Sequence, residues 1–371
     1  MPSSCTPNTQ PAIPNTHHVA NYAYEAVGTP LASAAAFLDS VINLGAAPGA
    51  VIGVSSHGRR WFYGTGRLGE EDPARPDSLT LYDMASVTKV TALTTLAMYA
   101  VREGTLDLEA PLQRYVPAFQ GSNKDRVTVR HILTHSSGMP AWRPLYQQAD
   151  SRESAMALAD TTPLDTLPGV RMVYSDLGII ILTQAIEGLY GQRIDELFAA
   201  RVTGPLGLTS TSYLPRGERR GRIAPTELDT AWRRRMLVGE VHDENAARLD
   251  GVSGHAGLFS DALDMVRFGE FLLGNALPEF RRRQEVVPGS SRALGWDTPS
   301  PNSSAGMRLS PESFGHTGFT GTSIWIDPTR ELVIVVLSNR VHPSRTNGKW
   351  GELSVRGGVA DRVVEGLERA P

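Results

Sequence analysis

Residues 81–89 read LYDMASVTK, which predicts a short extended segment that ends where an amphipathic helix begins. Residues three apart share one face of a helix, so the Lys89 amine can point at the Ser86 hydroxyl. A serine becomes a strong nucleophile when a base takes its proton, and a lysine serves as that base if burial or positive charge lowers its pKa. Free backbone N–H groups at a helix start also stabilise an oxyanion. The alternative interpretation is structural, with Ser86 as an N-cap and Lys89 as a solvated side chain.

Two further motifs carry polar groups next to predicted helices or strands. Residues 174–176 read YSD and precede an apolar helix, whereas residues 316–321 read HTGFTG and precede a hairpin. A Thr-Gly pair on a strand presents a hydroxyl and a backbone N–H without a bulky side chain in the way. Structural alternatives remain open: Tyr174 as a core aromatic, Asp176 as a helix cap, and the glycines as a bulge.

The order and spacing of these three motifs resemble the penicillin-recognising serine hydrolases. The Tyr-x-(Asn/Asp) element is similar to the class C β-lactamase branch, which includes esterases and D-amino-acid peptidases. Four stretches strengthen the resemblance: 128–138 (TVRHILTHSSG), 204–208 (GPLGL), 254–260 (GHAGLFS), and 241–246 (VHDENA), which is similar to a subgroup of penicillin-binding-protein-like bacterial enzymes. The resemblance covers about residues 30–368 and indicates fold and reaction type rather than substrate.

The resemblance implies a complete hydrolytic site. Its catalytic members would be Ser86, Lys89 and Tyr174, and its substrate-binding and oxyanion members Asp176, His316, Thr317, Gly318 and Phe319. Ser86 would be acylated, Lys89 would share its proton, and Tyr174 would act as general base and later help activate water. The backbone N–H groups of Ser86 and Phe319 would form the oxyanion hole, and residues 316–317 would contact the acidic or polar end of the substrate.

Two positions depart from the β-lactamase pattern. Strong β-lactamases of the family have Asn where this chain has Asp176, and an ionised aspartate cannot donate a hydrogen bond to a substrate carbonyl. Asp176 is expected to pair with Lys89 instead, which favours the charged lysine. His316 replaces a lysine, so a fixed charge becomes one that depends on pH, and KM for acidic substrates should rise through the neutral range. Both departures favour an esterase or a peptidase over a β-lactamase.

The predicted elements indicate an α+β fold of the β-lactamase/transpeptidase type. Helices are expected at 31–44 and 355–367, and hairpins at 50–63, turning at His57-Gly58, and 322–337. Strands near both ends predict one antiparallel sheet built from the two termini and flanked by helices, with a large, mostly helical insert. The predicted domains are a tail (1–29), a sheet domain (30–85 with 286–371) and a helical domain (86–285), with the catalytic cleft between the last two.

Composition excludes several other classes. The 371 residues include 36 basic and 39 acidic side chains, and 41% are hydrophobic, which is typical of a globular protein. The net charge of -3 argues against nucleic-acid binding, so the arginine clusters at 216–222, 233–235 and 281–283 are interpreted as solvated. The single cysteine, Cys5, excludes an intrachain disulfide. No segment reaches the length of a membrane helix, so no integral membrane segment is expected.

The expected function is a serine hydrolase that acts through an acyl-enzyme on small esters, D-amino-acid amides or peptides, or β-lactams. The alternative is a sensor of the same fold that binds penicillin or peptidoglycan without turnover. No cofactor and no metal are expected: His131 and His135 are four apart, but no Glu follows His131 as in a zinc-protease motif. A cytoplasmic location is the default because no signal peptide is visible; a periplasmic or secreted location would require that a signal had been removed.

Overall fold

The computed structural model describes residues 28–216, 222–301 and 303–370. Most of the tail predicted over residues 1–29, and most of the arginine cluster at 216–222, lie outside the described residues. The strands are β1 (Gly49–Ser56), β2 (Arg59–Gly66), β3 (Tyr82–Asp83), β4 (Ser212–Tyr213), β5 (Leu228–Asp229), β6 (Arg235–Met236), β7 (Leu258–Ser260), β8 (Phe314–Thr317), β9 (Ser323–Asp327) and β10 (Leu332–Ser338). The α-helices are α1 (Ala32–Asn43), α2 (Thr95–Arg102), α3 (Val129–Leu133), α4 (Leu145–Gln148), α5 (Arg152–Thr161), α6 (Asp176–Tyr190), α7 (Ile194–Phe198), α8 (Gly204–Leu206), α9 (Glu244–Arg248), α10 (Ala262–Asn275), α11 (Pro278–Arg281), α12 (Lys349–Glu352) and α13 (Val355–Arg369).

A five-stranded antiparallel sheet in the order β2-β1-β10-β9-β8 joins the two ends of the chain. The β1–β2 turn consists of His57 and Gly58, both with positive φ, as a two-residue hairpin turn requires. Strand β1 pairs with β10 from Ala50 opposite Ser338 to Ser56 opposite Leu332. The prediction of an antiparallel sheet built from both termini is therefore confirmed.

Both faces of the sheet are buried, which explains the almost continuous apolar run of β10. Alternate residues of β10, Leu332, Ile334 and Val336, pack with α1 and α13. The residues between them, including Val333 and Val335, pack on the other face in the larger core that includes α10 and the helical part. Because side chains alternate along a strand, a sheet covered by helices on both faces needs apolar residues at every position.

Local structure departs from the sequence-based expectation at three places. The helix predicted after Ser86 is a π-helix over Lys89–Thr94 and continues as the α-helix α2. The apolar spacing of residues 127–133 also predicts a helix, but helix α3 begins at Val129, because the extended Thr128 caps it. Arg233 is not solvated: its side chain is 6% exposed and pairs with Asp229 at 2.8 Å. The predicted division into a sheet domain and a helical domain stays a prediction.

Candidate active site

Ser86 lies where β3 turns into the first helix of the site. Ala85, just before it, has a φ of +45°, a strained conformation for a residue with a Cβ. The buried Asp83 carboxylate holds this turn, because its Oδ1 accepts the Ala85 N–H at 2.7 Å. The π-helix that follows begins at Lys89, and π-turns are frequent at functional sites. Asp83 was not predicted from the sequence, since nothing in the pattern shows which carboxylates are buried.

The Lys89 amine is buried and contacts a hydroxyl, a carbonyl oxygen and a carboxylate. Its Nζ lies 2.8 Å from Ser86 Oγ, 2.9 Å from the His255 carbonyl oxygen and 2.7 Å from Asp176 Oδ1. Burial alone would lower the pKa of Lys89, but the adjacent Asp176 carboxylate and Tyr174 raise it above its usual value. The structure thus shows the expected pairing with Asp176. The charged ammonium donates hydrogen bonds to Ser86 Oγ and to the His255 carbonyl oxygen and is ion-paired with Asp176.

Tyr174 is held beside Ser86 by the loop that leads into α6. Its ring lies 4.4 Å from the His135 ring, measured between centroids, and His135 Nδ1 accepts the Ser175 N–H at 3.1 Å. Two cations flank Tyr174, with Lys89 Nζ 5.0 Å and Arg292 Cζ 5.3 Å from its ring centroid. Within the described part of the chain, the buried Tyr174 hydroxyl forms no hydrogen bond.

The turn between β8 and β9 is attached to the strand that carries the serine. Thr320 Oγ1 donates to the Asp83 carbonyl at 2.7 Å, and Thr322 Oγ1 donates to the Met84 carbonyl at 3.1 Å. A Cβ on Gly318 would lie 2.1 Å from Thr322 Oγ1, so only glycine allows this close approach. In the described ranges, neither the backbone N–H of Ser86 nor that of Phe319 donates a hydrogen bond.

His316 differs from the expectation made for it. Its Nδ1 lies 2.8 Å from the Thr317 carbonyl oxygen, which can only accept, so this nitrogen carries the proton. Burial, and then the charge of Arg292, lower the pKa of His316 well below its usual value. The ring is therefore neutral, with its buried Nε2 as an acceptor. The expected change of charge in the neutral pH range is corrected: a histidine only 3% exposed is too poorly solvated to ionise there.

Two cavities meet at Ser86. The first has a volume of about 530 Å³ and is lined by Ser86, Tyr174 and the whole 316–319 segment. Three guanidinium groups also line it, those of Arg292, Arg340 and Arg356, against one carboxylate, Asp297. Burial and the neighbouring Arg340 lower the pKa of Arg356 to about 9, so it stays protonated at neutral pH. No described carboxylate forms an ion pair with any of the three.

The three arginines come from separate parts of the chain. Arg340 and Arg356 donate to backbone carbonyls of the 318–322 turn, the first to Phe319 O at 2.7 Å and the second to Gly318 O at 2.6 Å. Arg292 Nε is buried without a hydrogen-bond partner among the described residues. Sequence reasoning missed all three, because none of them belongs to a recognisable motif.

The second cavity, of about 290 Å³, lies against the other side of the same serine. It shares Ser86, Tyr174 and Phe319 with the first and adds Asp176. It also contains members of two motifs quoted only for the resemblance, 241–246 and 254–260. The structure thus brings all eight candidate residues into one site: seven line the two cavities, and Lys89 binds Ser86 directly.

The described residues contain neither a metal site nor a membrane-spanning helix. Among the described residues, no group of three or more His, Cys, Asp or Glu side chains is arranged to hold a metal ion. None of the helices in residues 28–216, 222–301 and 303–370 is long and apolar enough to cross a membrane.

Comparison with known proteins identifies the family. A family model described as Beta-lactamase matches residues 37–355 of the chain. The chain belongs to the β-lactamase family. Proteins named putative D-alanyl-D-alanine carboxypeptidase from Salmonella typhi and Salmonella newport are 33% identical over 319 residues, which cover 75% of this chain and 73% of each relative. The predicted family and enzyme class, a serine hydrolase of this fold, are confirmed.

Solved structures show the same β-lactamase fold. A β-lactamase from Sulfitobacter sp. EE-36 aligns with a TM-score of 0.72 and 21% identity, over 91% of this chain and 98% of that one. A β-lactamase/D-alanine carboxypeptidase from Yersinia pestis aligns with a TM-score of 0.69 and 20% identity, over 91% and 99% of the two chains. The predicted fold class is therefore confirmed.

Proposed function

We propose that this β-lactamase-family hydrolase cleaves amide or ester bonds in substrates that end in a carboxylate, through an acyl-enzyme on Ser86. The observation that carries the proposal is the set of three unpaired guanidinium groups in the cavity beside Ser86. Guanidinium groups bind carboxylates with strong, charge-assisted hydrogen bonds. A neutral ester would leave these charges without an anionic partner. The names of the Salmonella relatives, carboxypeptidases, agree with this substrate class.

His316 replaces the lysine of the family pattern, and the positive charge of that lysine is supplied here by three arginines. His316 is neutral and offers only an acceptor nitrogen, so it cannot hold a carboxylate. Arg292, Arg340 and Arg356 surround the same cavity and remain charged. The carboxylate would lie against these arginines and the Thr317 hydroxyl, with the scissile carbonyl over Ser86. This arrangement supports a peptidase that recognises a free C-terminus.

We assign the proton transfers to Tyr174 and an electrostatic role to Lys89. The Lys89 ammonium donates to Ser86 Oγ and the His255 carbonyl and is ion-paired with Asp176, so it stabilises charge near Ser86 Oγ rather than accepting a proton. Tyr174 acts as a relay: its oxygen takes the Ser86 proton as Oγ attacks the carbonyl carbon, while its own hydroxyl proton passes to the leaving nitrogen or oxygen. Water attacks the acyl-enzyme in the second half, and its proton returns through Tyr174 to Ser86 Oγ.

The free N–H groups of Ser86 and Phe319 fit the oxyanion hole. Neither has an intramolecular acceptor in the described ranges, and both residues line the two cavities. Such donors, aimed at the developing oxyanion, typically contribute about a hundredfold to a thousandfold to kcat each. The hydrogen bonds from the Thr320 and Thr322 hydroxyls fix the distance between the turn that carries Phe319 and the segment that carries Ser86. The oxyanion hole is therefore formed before substrate binds.

Asp176 favours peptidase or esterase over β-lactamase activity. Its carboxylate pairs with Lys89 and stays an acceptor, so it offers no N–H to the amide carbonyl of a β-lactam side chain. Repulsion between a carbonyl oxygen and this carboxylate would weaken binding of such side chains.

The test compares an N-acylated D-alanyl-D-alanine dipeptide with the same peptide carrying a C-terminal amide. We expect kcat/KM to be at least about tenfold higher for the free carboxylate, since one charge-assisted hydrogen bond contributes about 1.5–3 kcal/mol. Arg292→Gln should reduce this preference, whereas Arg282→Gln, an exposed arginine outside the site, should not. Equal rates for both peptides in the wild type would contradict the carboxylate assignment.

The acyl-enzyme is tested separately with Ser86→Ala. Turnover of peptides and of p-nitrophenyl acetate should be lost, while the melting temperature stays nearly unchanged. Intact-mass analysis of the wild type should show the acyl adduct during turnover. Residual activity near that of the wild type would refute the assignment of Ser86. A burst equal to the enzyme concentration, followed by no further product, would instead indicate the non-turnover sensor.

A further inference from the structure

The second cavity has walls of a different kind from the first. Two large aromatic side chains face it and remain exposed, Trp142 at 45% and Phe319 at 49%. Trp142 is part of an aromatic row: its ring lies 6.4 Å from that of Tyr146, which lies 5.0 Å from that of Trp232. Aromatic pairs at these distances favour a defined orientation of the rings. Exposed aromatic faces beside a nucleophile are poorly explained by folding alone, because burying them would be favourable.

The charge of the second cavity is opposite to that of the first. Three carboxylates line it, those of Asp176, Asp243 and Glu244, against the single guanidinium of Arg345. Asp176 pairs with Lys89, and Glu244 with Arg345 at 2.7 Å. Ser86 thus lies between an arginine-rich cavity and one with excess negative charge, so the site itself is electrically polarised.

Asp243 has an acceptor oxygen left over. Its Oδ1 accepts the Ala246 N–H at 2.7 Å and lies 2.9 Å from His255 Nε2, which fixes the carboxylate. Burial would raise the pKa of Asp243, but the electrostatic interaction and hydrogen bond with His255, together with the Ala246 N–H, hold it below its usual value, so the carboxylate is ionised. Its Oδ2 forms no hydrogen bond in the described part of the chain, and the side chain is 25% exposed in the cavity.

We propose that this second cavity is a subsite for an organic cation, an ammonium group carried by the acyl part of the substrate. The inference rests on the proposed function, since it assigns the acyl half of the same substrate. A cation over an aromatic face and beside a carboxylate gains both a cation–π and an ionic interaction. Trp142 supplies the face and Asp243 the charge. The preferred substrate then has a positive group on the acyl side and a negative group on the leaving side of the scissile bond.

The test uses two p-nitrophenyl esters of the same shape. One carries 4-(trimethylammonio)butanoate and the other 5,5-dimethylhexanoate, in which a quaternary carbon replaces the nitrogen. Since the leaving group is the same, the ratio of their kcat/KM values measures only the response to the acyl charge. We expect the wild type to prefer the cation by about tenfold at low ionic strength, and the preference to fall as salt is added.

Trp142→Ala and Asp243→Asn should each bring this ratio towards one, and Glu331→Gln should leave it as in the wild type. Glu331 is a matched control because it lies in the exposed turn between β9 and β10 and lines neither cavity. Asp243 caps α9, so if Asp243→Asn fails to fold, Trp142→Ala still decides the question.

Two outcomes would overturn the subsite while leaving the proposed function intact. One is equal turnover of both esters, and the other is a preference for the neutral ester, which would make the cavity an apolar acyl pocket. Absence of Ser86-dependent turnover for either ester would instead refute the proposed function.

Discussion

Asp176→Asn tests two consequences of the ion pair between Lys89 and Asp176, one for stability and one for catalysis. In the wild type, Asp176 Oδ1 lies 2.7 Å from Lys89 Nζ, and the two side chains are 20% and 2% exposed. Asparagine keeps an acceptor oxygen but loses the charge. A hydrogen bond to a charged group contributes about 1.5–3 kcal/mol and a neutral one about 0.5–1.5 kcal/mol, so the variant should lose about 1–1.5 kcal/mol of unfolding free energy.

The effect should depend on pH in one direction. Pairing with Asp176 raises the pKa of Lys89 in the folded state above its unfolded value. The stability from this pair is therefore fully present below the unfolded pKa of about 10.4 and is lost as the pH rises through the folded one. The difference between wild type and variant should be constant near neutral pH and shrink in strong alkali.

Urea denaturation followed by tryptophan fluorescence at pH 7 and at high pH measures this difference. Glu240→Gln is the control, since it breaks an exposed ion pair with Arg235 and should cost less than about 1 kcal/mol. Asparagine also adds an N–H donor, so kcat/KM for nitrocefin relative to p-nitrophenyl acetate should rise about tenfold. A variant as stable as the wild type at pH 7, or one with an unchanged nitrocefin ratio, would refute the respective part of this reasoning.

Two further predictions concern buried groups near the site. Burial and then Asp264 raise the pKa of Asp261 to about 7, so unfolding free energy should fall as the pH rises from about 4 through 7. Asp261→Asn should reduce this fall in unfolding free energy, measured by denaturation at pH 5 and 8.5. An unchanged difference between the two pH values would contradict the role of Asp261. Gly318→Ala should lower kcat at least about a hundredfold, because its Cβ meets Thr322 Oγ1 at 2.1 Å and displaces the oxyanion turn. Gly188→Ala is the control, because a Cβ at this position of α6 would have no atom within 4 Å. It should raise the unfolding free energy by about 0.5–1 kcal/mol and leave kcat unchanged. Equal kcat values for the two alanine variants would contradict the proposed clash at Gly318.

The outer elements of the fold were predictable because their signals are local. Two short strand-like runs and the His57-Gly58 turn between them are properties of a few neighbouring residues, and the β1–β2 hairpin follows from them. The pairing of β1 with β10 joins residues almost 300 positions apart, and was inferred only from where the strands fall along the chain. The π-helix after Ser86 was missed because a π-turn and an α-turn share much the same apolar spacing.

The candidate site was predictable as a set of motifs and not as an electrostatic environment. Sequence reasoning selected Ser86 and His316, but the state of the histidine depends on burial, which only the folded chain decides. The raised pKa of Lys89 likewise depends on an ion pair across 87 residues of chain. Arg292 and Asp83 were not selected from the sequence, since their roles depend on contacts that only the folded chain brings together.

The closing of the sheet by β10 has a consequence for how the protein is made. A ribosome completes β1 about 280 residues before β10, which takes roughly 15–55 s at 5–20 residues per second. During that interval β1 has no partner on its β10 side, and its backbone edge and apolar faces are open to other chains. The nascent hairpin is therefore expected to be prone to aggregation, and slower translation should increase aggregation rather than relieve it. The hydrolase also stays inactive until its last strands are synthesised, because the turn that holds Phe319 against the serine belongs to them.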